Sequence, residues 1–138
     1  FFGDLDPKIT AICRLMLRPG DTVLDIGANV GLVSMMSSGL VGPTGRVHAF
    51  EPQPDLTGLL GRSLDLNEID NVQIHEVALG AQDCYLSLNV PADNRGAASL
   101  VRSRSRAGAV SVPVRQASRY LTGLNPGHVR LVKLDVEG

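Results

Sequence analysis

The residues best suited to chemistry lie in the segment Asp25-Ile26-Gly27-Ala28-Asn29-Val30-Gly31. Gly27, Asn29 and Gly31 are residue types that accept left-handed backbone, so the segment reads as a sharp turn from a strand into a helix. The N–H groups that open such a helix form a site for an anionic group. A phosphate cradle would need Gly-Lys followed by Ser or Thr, and the chain has none. A dinucleotide fingerprint fails because Asn29 and Leu32 stand where its second and third glycines belong. The arrangement suits S-adenosylmethionine, whose carboxylate and ammonium can meet loop N–H groups and carbonyls. Asp25 would then steady the loop or reach the cofactor's amino group through water. The competing reading is a tight strand–helix turn that holds no ligand.

Glu51 follows Asp25 by 26 residues and ends the next strand. A carboxylate there can accept hydrogen bonds from both hydroxyls of a ribose, a charge-assisted pair; the alternative is an exposed acid capping a turn. A third group is Lys133-Leu134-Asp135-Val136-Glu137-Gly138. Strand alternation puts Lys133, Asp135 and Glu137 on one face and Val132, Leu134 and Val136 on the other. A central parallel strand, covered on both faces, should be almost wholly apolar. Asp135 and Glu137 therefore stand out at the carboxyl edge of the sheet, where open α/β folds bind ligands. Either could act as general base for a hydroxyl acceptor or ligate a cation, or the set could be structural and paired to Lys133. His48, His75 and His128 read as structural or surface residues, with His75 held in reserve because its strand ends on the cofactor side.

These groups need elements to hold them. Asp6-Pro7 reads as a helix cap followed by Pro at the first helical position. Ile9, Ile12, Leu15 and Met16 then share one helical face. Thr22 to Ile26 reads as a strand, Gly31 to Ser38 as a helix, Arg46 to Phe50 as a strand and Asn71 to Val77 as a third strand. Pro54 opens a helix with Leu56, Leu59, Leu60 and Leu64 at helical spacing. This alternation is the pattern of a parallel sheet with covering helices. Tyr85 to Val90 and Val110 to Arg115 read as two further strands, Ser118 to Leu124 as a short helix, and Val129 to Val136 as the last strand. An inserted hairpin accounts for the long link between the third and last parallel strands better than a structureless loop.

The 138 residues suffice for one domain, expected over 1–138, and carry 13 basic against 14 acidic residues. That balance, with aromatic content of 4%, argues against a nucleic-acid partner. The charge is segregated, however. Residues 1–93 hold five basic and twelve acidic groups, whereas residues 94–134 hold eight Lys or Arg and no acid. Arg102, Arg104 and Arg106 lie in that basic stretch, which we expect to meet an acceptor or partner. Cys13 and Cys84 lack metal or redox spacing and read as reduced thiols; no metal ligand set is expected. Residues 26–45 are free of charge but too rich in Gly, Ser, Pro and Asn to span a membrane. Without a basic-then-apolar leader the expected compartment is the cytoplasm. A start at Phe1 and a stop at Gly138 lead us to expect a piece of a longer chain.

Taken together, the segments resemble the FkbM family of S-adenosylmethionine-dependent methyltransferases. The resemblance runs through Pro19-Gly20-Asp21, the 25–31 loop, Gly42-Pro43-Thr44-Gly45-Arg46-Val47, Phe50-Glu51-Pro52-Gln53-Pro54, Ala78-Leu79-Gly80, Ser99-Leu100 and residues 133–138. It implies a Rossmann-like class I methyltransferase sheet with flanking helices and an inserted hairpin, truncated at the C-terminus. It also implies O-methylation of a hydroxyl on a sugar or secondary metabolite, so a small-molecule or glycan acceptor. On that footing Gly27, Asn29 and Gly31 form the cofactor loop with Ala28, Glu51 binds the ribose, and Asp135 and Glu137 edge the reaction site. Three departures stand out: Leu32 replaces a usual aromatic, Ala117-Ser118 replaces a usual Leu-Asp, and the family domain continues past the final Glu-Gly. The other readings are a non-catalytic adenosyl-binding module and, disfavoured by the missing glycines, a nicotinamide-dependent oxidoreductase.

Overall fold

The Asp6 carboxylate accepts the Lys8 N–H at 2.8 Å and caps helix α1 (Pro7–Met16), with Pro7 in the first turn where no amide hydrogen is needed. The computed structural model describes residues 6–89, 99–100 and 109–136. Along the chain follow β1 (Thr22–Ile26), α2 (Leu32–Val41), β2 (Arg46–Phe50), α3 (Pro54–Leu66) and β3 (Val72–His75). The insert supplies β4 (Ala78–Gly80), β5 (Cys84–Asn89), β6 (Ser99–Leu100) and β7 (Ala109–Gln116). Helix α4 (Ala117–Leu124) and β8 (Val129–Leu134) close the described chain.

Strands β3, β2, β1 and β8 lie side by side in that order, all parallel, with Asp25 opposite Ala49 on one side and Lys133 on the other. This is the α/β arrangement expected. On one face, Val23 and Val47 pack with Cys13 and Leu17 and with Val33, Met36 and Val41 of α2. Beside them Ala49 meets Leu60 and Leu64 of α3. Phe50, next in the strand, points to the opposite face, where Tyr120 of α4 meets it edge-on at 6.2 Å. Helix α4 thus meets the second face at Phe50, while Val132 and Leu134 on that same face stay exposed.

Several expectations need correction. The apolar stripe Ile12, Leu15 and Met16 of α1 stays exposed; the buried residues are Cys13 and, just past the helix, Leu17, with Ile9 partly buried on the same line. Helix α2 runs on to Val41, and Gly42 at φ +65° ends it. Among the described residues strand β8 is the outer strand of its sheet, with Val132 and Leu134 more than half exposed. The insert is more than a hairpin. Strands β5 and β7 do pair antiparallel from Cys84↔Val114 to Asn89↔Ala109, and the short β4 adds to β7 in parallel, giving a second four-stranded sheet in the order β4, β7, β5, β6. No helix among the described residues is long and apolar enough to cross a membrane.

Candidate functional site

The turn after β1 is built as its residue types demand. Gly27, Asn29 and Gly31 have φ of +79°, +54° and +85°. The two glycines also make room for protein rather than ligand. A Cβ on Gly27 would collide with the Asp135 carbonyl oxygen, and one on Gly31 would collide with Leu60 of α3. Gly27 therefore lets β8 end against the turn, and Gly31 lets α3 seat under it.

Most of the turn's own N–H groups are spent inside the chain. Gly27 and Ala28 donate to the Phe50 carbonyl, each at 2.9 Å, and Gly31 donates to Ala28 at 2.8 Å. Val30 donates to the Asn29 side chain at 2.8 Å. The first bond into α2 runs from the Met35 N–H to the Gly31 carbonyl. The donors without an intrahelical acceptor are accordingly those of Leu32, Val33 and Ser34, at the positive end of the helix dipole.

Glu51 is buried at 4% exposure beside this turn. Its Oε2 accepts the Asn29 N–H and its Oε1 accepts the Gln53 N–H, both at 3.0 Å. Burial, the largest influence, pushes its pKa up; the bonds from Gln53 and Asn29 and the Lys133 charge pull the other way. Each oxygen keeps lone-pair capacity beyond its one backbone bond. The loop and Glu51, 26 residues apart from Asp25 in sequence, are thus one hydrogen-bonded unit.

Asp25 lies beneath that unit, fully buried. Ser34 Oγ donates to its Oδ2 at 2.6 Å, and the Lys133 ammonium stands 3.1 Å from its Oδ1. Lys133 Nζ also donates to the Gly27 carbonyl at 2.6 Å and lies 3.6 Å from Asp135. Lys133 was not among the expected site residues, although strand alternation put it on the face of Asp135. It joins β1, the turn and the end of β8. The Asp135 side chain is 76% exposed, just past β8 at the carboxyl edge of the sheet. Glu137 and the Arg102, Arg104 and Arg106 cluster lie outside the described residues. No cluster of three or more His, Cys, Asp or Glu suited to a metal ion occurs among the described residues.

His75 is buried and turned inward. Its Nε2 lies 3.1 Å from His48 Nδ1, its Nδ1 lies 3.2 Å from the Tyr120 hydroxyl, and its ring stacks on Phe50 at 4.5 Å. Burial, then His48, brings its pKa down to about 4.

The sequence profile of the methyltransferase FkbM domain matches residues 25–138. Methyltransferase 1 of Beauveria bassiana (strain ARSEF 2860) is 26% identical over 140 residues, covering 87% of this chain and 56% of that protein. The 31-O-demethyl-FK506 methyltransferase FkbM of Streptomyces tacrolimicus is 55% identical over 38 residues, 28% of this chain and 14% of that one. The chain thus spans about half the length of the first of these relatives and less of the second. Among solved structures, a SAM-dependent methyltransferase from Aquifex aeolicus superposes at a TM-score of 0.47 with 25% identity, over 62% of this chain and 44% of that one.

Proposed function

The chain belongs to the methyltransferase FkbM domain family, and from that premise we propose that it binds S-adenosylmethionine and methylates a hydroxyl of a small molecule or glycan. The observation that carries this reading is the buried Glu51 carboxylate bonded to the Asn29 N–H at the mouth of the turn. The donor set fits the cofactor. Three helix-terminal N–H groups at Leu32, Val33 and Ser34 suit its carboxylate. Glu51, with lone pairs to spare in a water-poor setting, suits the two ribose hydroxyls. When bound, S-adenosylmethionine would supply a sulfonium-activated methyl group and leave as S-adenosylhomocysteine.

The chain's own part is orientation and proton removal. Gly27, Ala28 and Asn29 hold the turn in one conformation, and Asp25 holds it from below through Ser34 and Lys133. The exposed Asp135 carboxylate takes the proton that an acceptor hydroxyl must lose. Alignment of acceptor and methyl donor provides most of the remaining rate. The name of the Streptomyces relative, a 31-O-demethyl-FK506 methyltransferase, supports oxygen as the methylated atom.

Calorimetric titration tests the cofactor assignment. Glu51→Ala should weaken S-adenosylmethionine binding about tenfold to a hundredfold, the usual worth of hydrogen bonds to a charged group. Unchanged affinity would defeat it. Titration with NAD in parallel should show no binding; preference for NAD would point to an oxidoreductase instead.

A further inference from the structure

A cleft of about 460 Å³ opens between β3, β7 and α4, and none of residues 25–31 nor Glu51 lines it. That volume falls within the range of small-molecule sites. It is lined by Gln73 and His75 of β3, Asp83, Arg115 of β7, and Arg119, Tyr120, Gly123 and Leu124 of α4. We propose that this cleft is a binding site for a small organic carboxylate with a planar apolar body, separate from the cofactor loop and independent of methyl transfer.

The charges favour one negative group. The lining has two guanidinium groups and one carboxylate, Asp83, which already accepts the Gln116 N–H at 2.7 Å and faces Arg119 at 4.0 Å. The Arg115 guanidinium stands 5.9 Å from the Tyr85 ring centroid and donates to the Val114 carbonyl at 3.4 Å, two contacts that limit its freedom. A carboxylate suits such a fork because both its oxygens can be engaged. The body of the ligand meets the Tyr120 ring and the Leu124 side chain, an apolar wall.

His75 and Tyr120 supply a matching neutral donor. Burial lowers the pKa of both His48 and His75, so at neutral pH each ring carries a single proton. The contacts His48 Nδ1 to His75 Nε2 and His75 Nδ1 to Tyr120 oxygen form a chain that can run in either direction. When His48 donates to His75 and His75 donates to Tyr120, the phenol hydrogen is free to point into the cleft. An anion in the cleft selects that direction. The buried histidine pair thereby gains a purpose that the cofactor loop does not give it.

Amide-resolved NMR titration of the chain with benzoate, and with benzamide as its uncharged counterpart, tests the site. Benzoate should move the amide signals of Gln73, Tyr120 and Gly123, and bind about tenfold more tightly than benzamide. Tyr120→Phe should weaken benzoate about tenfold, and the exposed Arg119→Gln about threefold. Saturating S-adenosylhomocysteine should leave benzoate affinity unchanged. Equal affinity for the two probes, no movement of those amides, or insensitivity to both substitutions would overturn the proposal. Displacement of benzoate by S-adenosylhomocysteine would overturn the separation of the two sites. Arg119→Gln keeps the test open should Tyr120→Phe disturb folding, since Arg119 is 80% exposed.

Discussion

Replacing Lys133 by Met keeps an unbranched side chain of similar length and removes one charge. In the native chain that ammonium is 14% exposed, 3.1 Å from an Asp25 carboxylate with no exposure at all. Without it, Asp25 retains only the Ser34 hydroxyl, and the Gly27 carbonyl loses its 2.6 Å donor. Breaking a buried pair by removing one partner costs about 3–5 kcal/mol, because the remaining charge is neither solvated nor neutralised. For a domain of this size the melting temperature should fall by roughly 10–17 °C. Removing both charges is a different matter: Asn at 25 can still accept from Ser34, so Asp25→Asn with Lys133→Met should recover more than half of the loss. Thermal melts followed by circular dichroism measure both effects. A drop of less than about 3 °C for Lys133→Met, or a double variant no more stable than the single one, would refute the view that Lys133 neutralises Asp25 and fastens the turn.

Gly31→Ala should cost about 2–5 kcal/mol in urea unfolding, combining left-handed strain with a clash against Leu60, and a cost below about 1 kcal/mol would count against that packing role. His75 makes stability depend on pH. Its folded pKa of about 4 lies below the unfolded 6.5, so the unfolded chain takes up the proton first. The stability it contributes is present above pH 6.5 and is lost as pH falls through 4, amounting to about 2–3 kcal/mol by pH 4.5. Denaturant titrations of the parent and His75→Gln at pH 7 and 4.5 should show the difference, and parallel profiles would contradict it. Asp135→Asn should lower kcat for methyl transfer about 10²–10⁴-fold while leaving S-adenosylmethionine affinity unchanged by calorimetry. An unaltered kcat would remove Asp135 from the proposed chemistry.

The turn and Glu51 were legible in the sequence because backbone at positive φ restricts residue type, and Gly27, Asn29 and Gly31 bear that mark. Lys133 with Asp135 was legible through strand alternation, although not the depth at which Lys133 reaches Asp25. Other features left weaker traces. Strand β4 has three residues, too few to show a period. The buried line of α1 runs through Cys13, a residue easily left out of an apolar stripe, and so Ile12 and Leu15 looked like the inner face. The outer position of β8 depends on which strands pair, and alternation within β8 does not report it. The cleft at His75 joins residues more than forty positions apart, each unremarkable locally, and its one sequence trace is a Tyr in the short helix α4.

The β5–β7 ladder closes at Asn89↔Ala109, and β4 and α4 continue the chain on either side of it. Between those two residues Ser99 and Leu100 pair back onto β5 as β6, and the β5–β7 register does not depend on how many residues join the strands. Lengthening such a connection costs only about 0.6 kcal/mol per doubling. Evolution can therefore rewrite the basic stretch there, in length as well as composition, without retuning the turn, Glu51 or the Lys133 clamp.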